Sequence, residues 1–167
     1  MSLFNPSRRN ESLRSRWSGT KEGSERTKTI LTYVGRISNE KNIGLLISAF
    51  RGLEEAVKEI DPSHAGCRLM LIGEGPARAS LERDCAGMDI EFLGYRKGEE
   101  LAECYASSDI FAFPSHSETF GNVVLEALAS GLPVVGLKAE GVCDLVDDGK
   151  TGEACQGAGP VPLLLAQ

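Results

Sequence analysis

Short apolar runs alternate with longer stretches of helical period between residues 29 and 137. Residues 29–35, TILTYVG, are β-branched and aromatic and end in glycine, which predicts a strand feeding a loop. Ile43, Leu46, Ile47, Phe50, Leu53, Val57 and Ile60 then stand at spacings of three, four and seven, those of one apolar stripe on a helix. Asp61-Pro62 ends that helix, because the residue before a proline is pushed out of the α region. RLMLIG (68–73) predicts a short buried strand, and Pro76 opens a helix reaching about Ala86. IEFLG (90–94) predicts a strand, 98–106 a helix, DIFAFPS (109–115) a strand, 121–131 a helix closed by Gly131, and LPVVGL (132–137) a strand.

Five strands alternating with four helices predict an α/β domain, a Rossmann-like parallel sheet with helices on both faces. Ligands of such sheets sit outside the carboxyl ends of the strands. Attention therefore falls on loops 35–42, 73–76, 94–98, 114–121 and 137–143. Residues 1–28, rich in Ser, Arg, Asn, Gly and Thr, read as an interdomain linker or basic arm with a short helix over 10–17. Residues 29–155 form the domain, and 156–167, ending GPVPLLLAQ, read as an irregular, truncated tail.

Composition narrows the function classes. The chain has 167 residues, 41% hydrophobic and 25% charged, which excludes disordered and collagen-like classes. Net charge is −6, which argues against a global nucleic-acid-binding role. The charge is uneven: residues 1–28 carry seven Lys/Arg against three Asp/Glu. That arm reads either as an exposed linker or as a nucleic-acid or membrane tail. Five scattered cysteines (Cys67, Cys85, Cys104, Cys143, Cys155) without a CxxC pair argue against a zinc site or disulfide framework and fit a reducing compartment. No apolar run approaches the ~18 residues of a membrane span, and the start has no apolar core of a secretory signal.

Three loops hold residue types suited to chemistry. In 35–42, GRISNEKN, Arg36 and Lys41 bracket a turn before a helix, two cations beside free helix N–H groups, as an anion needs. A solvated surface pair is the alternative. In 73–76, GEGP, a dinucleotide fingerprint fails because the third glycine position holds Arg78. A tight turn explains the glycines, and Glu74 there either faces a ligand or serves a helix start. Loop 114–121 is densest: Glu118 and Glu126 bracket seven residues, and the N–H groups of Gly121, Asn122 and Val123 suit a phosphate. Glu126, among Val124, Leu125, Ala127, Leu128 and Ala129, needs a partner. Ribose hydroxyls, water or a lysine all satisfy that need. His116 reads as a pocket residue or a packing residue. No Asp-x-Asp pair is present to hold a divalent ion on a diphosphate.

YVGRISNEKN, LMLIGEGP, FLGYRKGEEL, ASSDIFAFPSHSETFGNVVLEALASGLPVV and DDGKTGE, in that order, resemble the donor-binding, C-terminal half of family 4 (group 1) retaining glycosyltransferases of the GT-B architecture. Even LFNPSRR resembles the passage into that half, so the likeness spans roughly residues 3–155. The resemblance implies roles. Arg36 and Lys41 neutralise the donor diphosphate, Gly35 lines the same loop, and Glu118 lies near the transferred sugar. Phe120, Gly121, Asn122 and Val123 cover sugar and phosphate with backbone, and Glu126 binds the ribose hydroxyls. Tyr95 and Arg96 frame the nucleobase, with Glu74 and Pro76 at the neighbouring turn.

The reaction implied by the resemblance is transfer of a mannose- or glucose-type hexose from a UDP- or GDP-sugar, with no metal or other cofactor. The acceptor, a sugar or lipid-linked sugar, is unidentified. The N-terminal domain and final helices are missing from the pattern, so this polypeptide alone is expected to be inactive. A nucleotide-sugar epimerase of the same architecture is disfavoured, for want of a further acid/base pair. From another class comes a non-catalytic nucleotide-binding or interaction module. The expected location is cytoplasmic, with a peripheral position at the cytoplasmic membrane face left open.

Overall fold

A computed structural model describes residues 3–19, 27–115, 122–137, 145, 147 and 149–155. Among the described residues, six parallel strands form one sheet: β1 (Thr29–Val34), β2 (Cys67–Ile72), β3 (Ile90–Gly94), β4 (Ile110–Phe113), β5 (Val134–Leu137) and β6 (Gly152–Cys155). Their spatial order is β3-β2-β1-β4-β5-β6. The chain winds outward from β1 through β2 to β3, then returns to β1's other side at β4. The reversal between β1 and β4 opens a crevice at their carboxyl ends.

The helices are α1 (Glu11–Ser18), α2 (Ile43–Ile60), α3 (Arg78–Asp84), α4 (Gly98–Ala106) and α5 (Asn122–Ala129). Two buried clusters lie on the two faces of the sheet. One joins Leu31, Tyr33, Leu69 and Leu71 to the α2 stripe of Ile43, Leu46, Ile47, Phe50, Leu53 and Val57. The other joins Ile30, Met70, Phe111 and Val134 to Tyr105 of α4, Val124 and Ala127 of α5, and Trp17 of α1. Strand residues of opposite parity thus feed opposite faces, the period-two consequence of a pleated strand covered on both sides. The expected fold class stands.

Three differences matter. α3 is shorter than the 76–86 expected: Ala77 is its N-cap, so it starts two residues later, and it ends at Asp84. β6 is absent from the sequence pattern: GEAC is four residues with one apolar alternation, and its pairing with β5 from Val134↔Gly152 to Leu137↔Cys155 decides its conformation. Residues 3–19 are not exposed throughout. Trp17 is 2% exposed, and the Arg14 guanidinium meets Asp109 Oδ2 at 2.6 Å and the carbonyls of Ser107 and Lys28. Arg8, Arg9 and Lys28 likewise pair with Glu99, Glu11 and Asp89. At Arg8, Arg14 and Lys28 the basic character of the arm is directed into the domain, whereas Arg9 pairs within the arm. The tail, 156–167, lies outside the described residues.

Candidate functional site

The loops leaving β1 and β4 flank the crevice. At Gly35 a Cβ would come 2.6 Å from the Tyr33 hydroxyl, which donates to the Arg36 carbonyl at 3.1 Å. The missing side chain lets the tyrosine fold back and fix the backbone that presents Arg36. The Arg36 side chain is exposed and makes no hydrogen bond or ion pair among the described residues. A 3-10 turn, Asn39–Lys41, carries the half-buried Lys41 to the start of α2. Asn42 follows in the left-handed region (φ 54°), and its side-chain amide donates to the Pro114 carbonyl at 3.3 Å. That bond ties the β1 loop to the β4 loop across the crevice.

The β2 loop is stitched to the β1 loop by backbone. Ile37 N–H donates to Glu74 O at 2.9 Å, and Ala77 N–H donates to Ile37 O at 3.1 Å. Gly73 (φ +144°) lies so close that a Cβ would sit 1.8 Å from the Gly35 carbonyl oxygen. The glycines of GEGP therefore serve close backbone approach. Glu74 is exposed, and its carboxylate pairs with Arg78. Arg78 also holds Glu82 at 2.8 Å and lies over the Phe92 ring at 5.8 Å. Glu74 thus stands in the loop before Ala77, the N-cap of α3, held by Arg78. Tyr95, 67% exposed, and Arg96, which donates to the Tyr95 carbonyl at 3.0 Å, follow β3 on the same edge, two strands from β1.

α5 starts at the carboxyl end of β4. Asn122 is exposed at its first position and Val123 packs partly into the core. The first-turn amides of a helix have no intrahelical acceptor. Glu126, one turn on, is half-buried. Its partner is neither lysine nor any other cation among the described residues. It is Tyr105 of α4, whose hydroxyl donates to Glu126 Oε2 at 3.1 Å and lies 3.3 Å from the Val123 carbonyl. Burial raises the Glu126 carboxyl above its ordinary pKa, and the Tyr105 hydrogen bond opposes that rise. Tyr105 itself is pushed up, first by burial and then by the neighbouring carboxylate.

Topology thus sets Arg36 and Lys41 on the loop after β1, and Asn122, Val123 and Glu126 on α5, the helix that follows β4. Glu74, Tyr95 and Arg96 stand farther along the same edge. Glu118, Phe120, Gly121 and His116 lie outside the described residues. Sequence reasoning missed Tyr105 and Asn42. The signal for Tyr105 was available: an aromatic on the buried face of a helix carries a hydroxyl that must find an acceptor. Asn42 gave a weaker one, a helix-start asparagine able to adopt positive φ.

Cys67, Cys85 and Cys104 are buried, free thiols. Burial pushes Cys67 and Cys104 up to about 11, which makes them packing groups and not nucleophiles. Among the described residues, no group of three or more His, Cys, Asp or Glu side chains stands ready to hold a metal ion. No helix among them is long and apolar enough to cross a membrane.

Comparison with known proteins adds the family. Residues 18–158 match the family described as glycosyl transferases, group 1. The chain is 42% identical over 152 residues to a sulfoquinovosyl transferase of Arabidopsis thaliana, covering 89% of this chain and 27% of that protein. It is 42% identical over 149 residues to a GDP-mannose-dependent alpha-mannosyltransferase of Mycobacterium tuberculosis, covering 89% of this chain and 34% of that protein. It therefore spans about a quarter to a third of these relatives' lengths. Among solved structures, sucrose-phosphate synthase of Thermosynechococcus elongatus superposes with a TM-score of 0.68 at 25% identity, covering 92% of this chain and 37% of that one. An Anabaena protein, HepE, solved with UDP and glucose, gives 0.65 at 22% identity, covering 94% and 42%, and so bears on the fold alone. Over most of its length, this chain is a member of the group 1 glycosyl transferases.

Proposed function

We propose that this domain binds the nucleotide diphosphate sugar of a retaining hexosyl transfer, with the nucleotide lying across the β1/β4 crevice. One observation carries the reading. At the edge where such sheets take ligands, Glu126 is half-buried without a cation, while Arg36 is exposed without an anion among the described residues. A nucleoside diphosphate supplies what each lacks, hydroxyl donors for the carboxylate and phosphate oxygens for the guanidinium.

In this reading Arg36 and Lys41 stabilise charge on the departing diphosphate, joined by the first-turn amides of Asn122 and Val123. The anomeric carbon–oxygen bond to the diphosphate breaks. The acceptor oxygen bonds to the same face, and its proton passes to the leaving phosphate oxygen. Two cations and helix amides replace a metal in that task. Glu118, Phe120 and Gly121 are assigned to the sugar by family resemblance. Tyr95 and Arg96 are assigned to the base. The sulfoquinovosyl and GDP-mannose-dependent mannosyl relatives support a mannose- or glucose-type sugar, and the second supports GDP as its carrier, with UDP the alternative. The acceptor, the cytoplasmic location and the need for a second domain as the cleft's other wall belong to the same proposal. On it, the 167-residue polypeptide alone binds nucleotide weakly and transfers no sugar.

Calorimetric titration with UDP, GDP and ADP tests this, beside Arg36→Ala and Glu126→Ala. Binding of one diphosphate, weakened in both variants, supports the reading and names the base. Absence of binding up to millimolar in the wild-type chain overturns it and favours a non-catalytic interaction module. Sugar transfer by the purified chain refutes the requirement for a second domain.

A further inference from the structure

Tyr105 is fully buried, and its ring is held on two sides. Phe4 meets it edge-on, centroids 5.7 Å apart at 85°, and Phe111 of β4 lies at 5.6 Å and 55°. Its hydroxyl has one proton and two acceptors within reach, Glu126 Oε2 at 3.1 Å and the Val123 carbonyl at 3.3 Å. A hydroxyl so placed fixes the torsion of the Glu126 side chain and occupies one side of Oε2. Oε1 and the remaining lone pairs stay available to a ligand. A vicinal diol offers two O–H donors, so it needs a carboxylate that is ionised and aimed. Burial works against ionisation, and the tyrosine's hydrogen bond opposes part of that effect.

The ring's own placement is set by the N-terminal segment. Phe4 packs on it, Arg8 pairs with Glu99 at 3.2 Å, and the Asn10 amide donates to Glu103 at 3.0 Å. Residues 4–10 thereby clamp α4, the helix that carries Tyr105. We propose that Tyr105 is a positioning residue for Glu126, holding its carboxylate for the ribose diol of a nucleotide, and that Phe4 holds Tyr105 in turn. This rests on the donor-site reading. It adds to it a specific cause of ribose recognition, and a path by which the segment entering the domain reaches the nucleotide.

The test is calorimetric titration of the 167-residue chain with UDP and GDP and with their 2′-deoxy counterparts. Wild type should prefer the ribo form. Tyr105→Phe keeps the ring and removes the hydroxyl; it should weaken the ribo nucleotide about fivefold to tenfold and leave the deoxy form nearly unchanged. Glu126→Gln should collapse the same preference, and the double variant should lose little more than either alone, since the two act as one unit. A variant that only loosens the fold would weaken both nucleotides alike. Phe4→Leu, which keeps the hydroxyl and loosens the ring, should lower the ribo preference about twofold to threefold. A ligand-free readout separates the two ideas: the Glu126 carboxyl, followed by carbon NMR, should titrate at higher pH in Tyr105→Phe. An unmoved midpoint and an unchanged ribo preference in folded Tyr105→Phe overturn the proposal. If Glu126→Gln still loses affinity, the donor reading survives that result. A wild-type chain that binds neither nucleotide, while the midpoint does move, overturns the donor reading and removes the ligand from the proposal.

Discussion

Two carboxylates stand at the carboxyl edge of the same sheet and live in opposite circumstances. Glu74, after β2, is exposed and meets Arg78 on the first turn of the following helix. Glu126, one turn into α5, is half-buried, and its partner among the described residues is a neutral hydroxyl from another helix. The first is neutralised by its own local sequence. The second holds its charge without a counter-ion in a poorer solvent, a cost that the Tyr105 hydroxyl offsets in part and a ligand or a protonation would relieve further. A site is therefore read less from the presence of an acid than from the absence of its counter-ion.

The sharpest way to break the comparison is to remove the frame on which Glu74 sits. Gly73→Ala would force a Cβ into the Gly35 carbonyl at a φ of +144°, and backbone cannot swing aside as a side chain can. We expect a loss of about 3 kcal/mol or more of stability, measured by chemical denaturation. A variant within ~0.5 kcal/mol of wild type would show that the β1 and β2 loops are not pinned together. Next in size is binding. Glu126→Ala should weaken the preferred nucleoside diphosphate about tenfold to fiftyfold. Glu74→Ala should change it less than about twofold. Equal losses at the two positions would erase the distinction between them.

The frame was legible in the sequence and the partnerships were not. The α2 stripe from Ile43 to Val57 is buried as its spacing requires, and β1, β2 and β3 fall within a residue of the runs that predict them. Apolar periodicity reports burial directly, because a residue's own chemistry fixes which side it takes. Glu126 was legible as a carboxylate short of a partner for the same reason. Its partner was not, since Tyr105 lies 21 positions away and the contact exists only once α4 and α5 pack on one face. β6 escaped for a related reason: GEAC becomes a strand by pairing with β5, not by its own preference. The N-terminal segment looked like a linker because its anchors, Phe4, Arg14 and Trp17, are single residues amid polar ones.

A smaller effect tests the cost assigned to Glu126. Burial lifts its folded pKa above 4.5, the value it has when free. Between pH 4.5 and the folded value, the native state binds a proton that the unfolded chain has released. Its contribution to stability is therefore most favourable below that window and falls as pH rises through the folded pKa. Glu126→Gln, neutral at every pH and still able to accept from Tyr105, should melt about one to two degrees higher than wild type at about pH 7. The gap should close as pH is lowered toward 4.5. A variant less stable than wild type at neutral pH would mean that the ionised carboxylate is welcome in its place, and the contrast with Glu74 would fail.

The smallest effect belongs to Glu74 itself. Its pair with Arg78 spans four residues at the start of α3, and Arg78 also holds Glu82 four residues on. Such pairs sit in water, so their attraction is weak and their ordering costs entropy. A double-mutant cycle between Glu74→Ala and Arg78→Ala should give a coupling of about 0.3–0.5 kcal/mol. It should be largely gone in ~1 M salt, where the screening length falls to about 3 Å. Arg78→Ala alone should cost more than the coupling, because the guanidinium also covers the Phe92 ring and donates to the Phe92 carbonyl. A coupling above about 1.5 kcal/mol that survives salt would place Glu74 in an environment as dry as that of Glu126. The two carboxylates would then differ in partner alone, and burial would lose its part in telling a ligand-binding acid from a structural one.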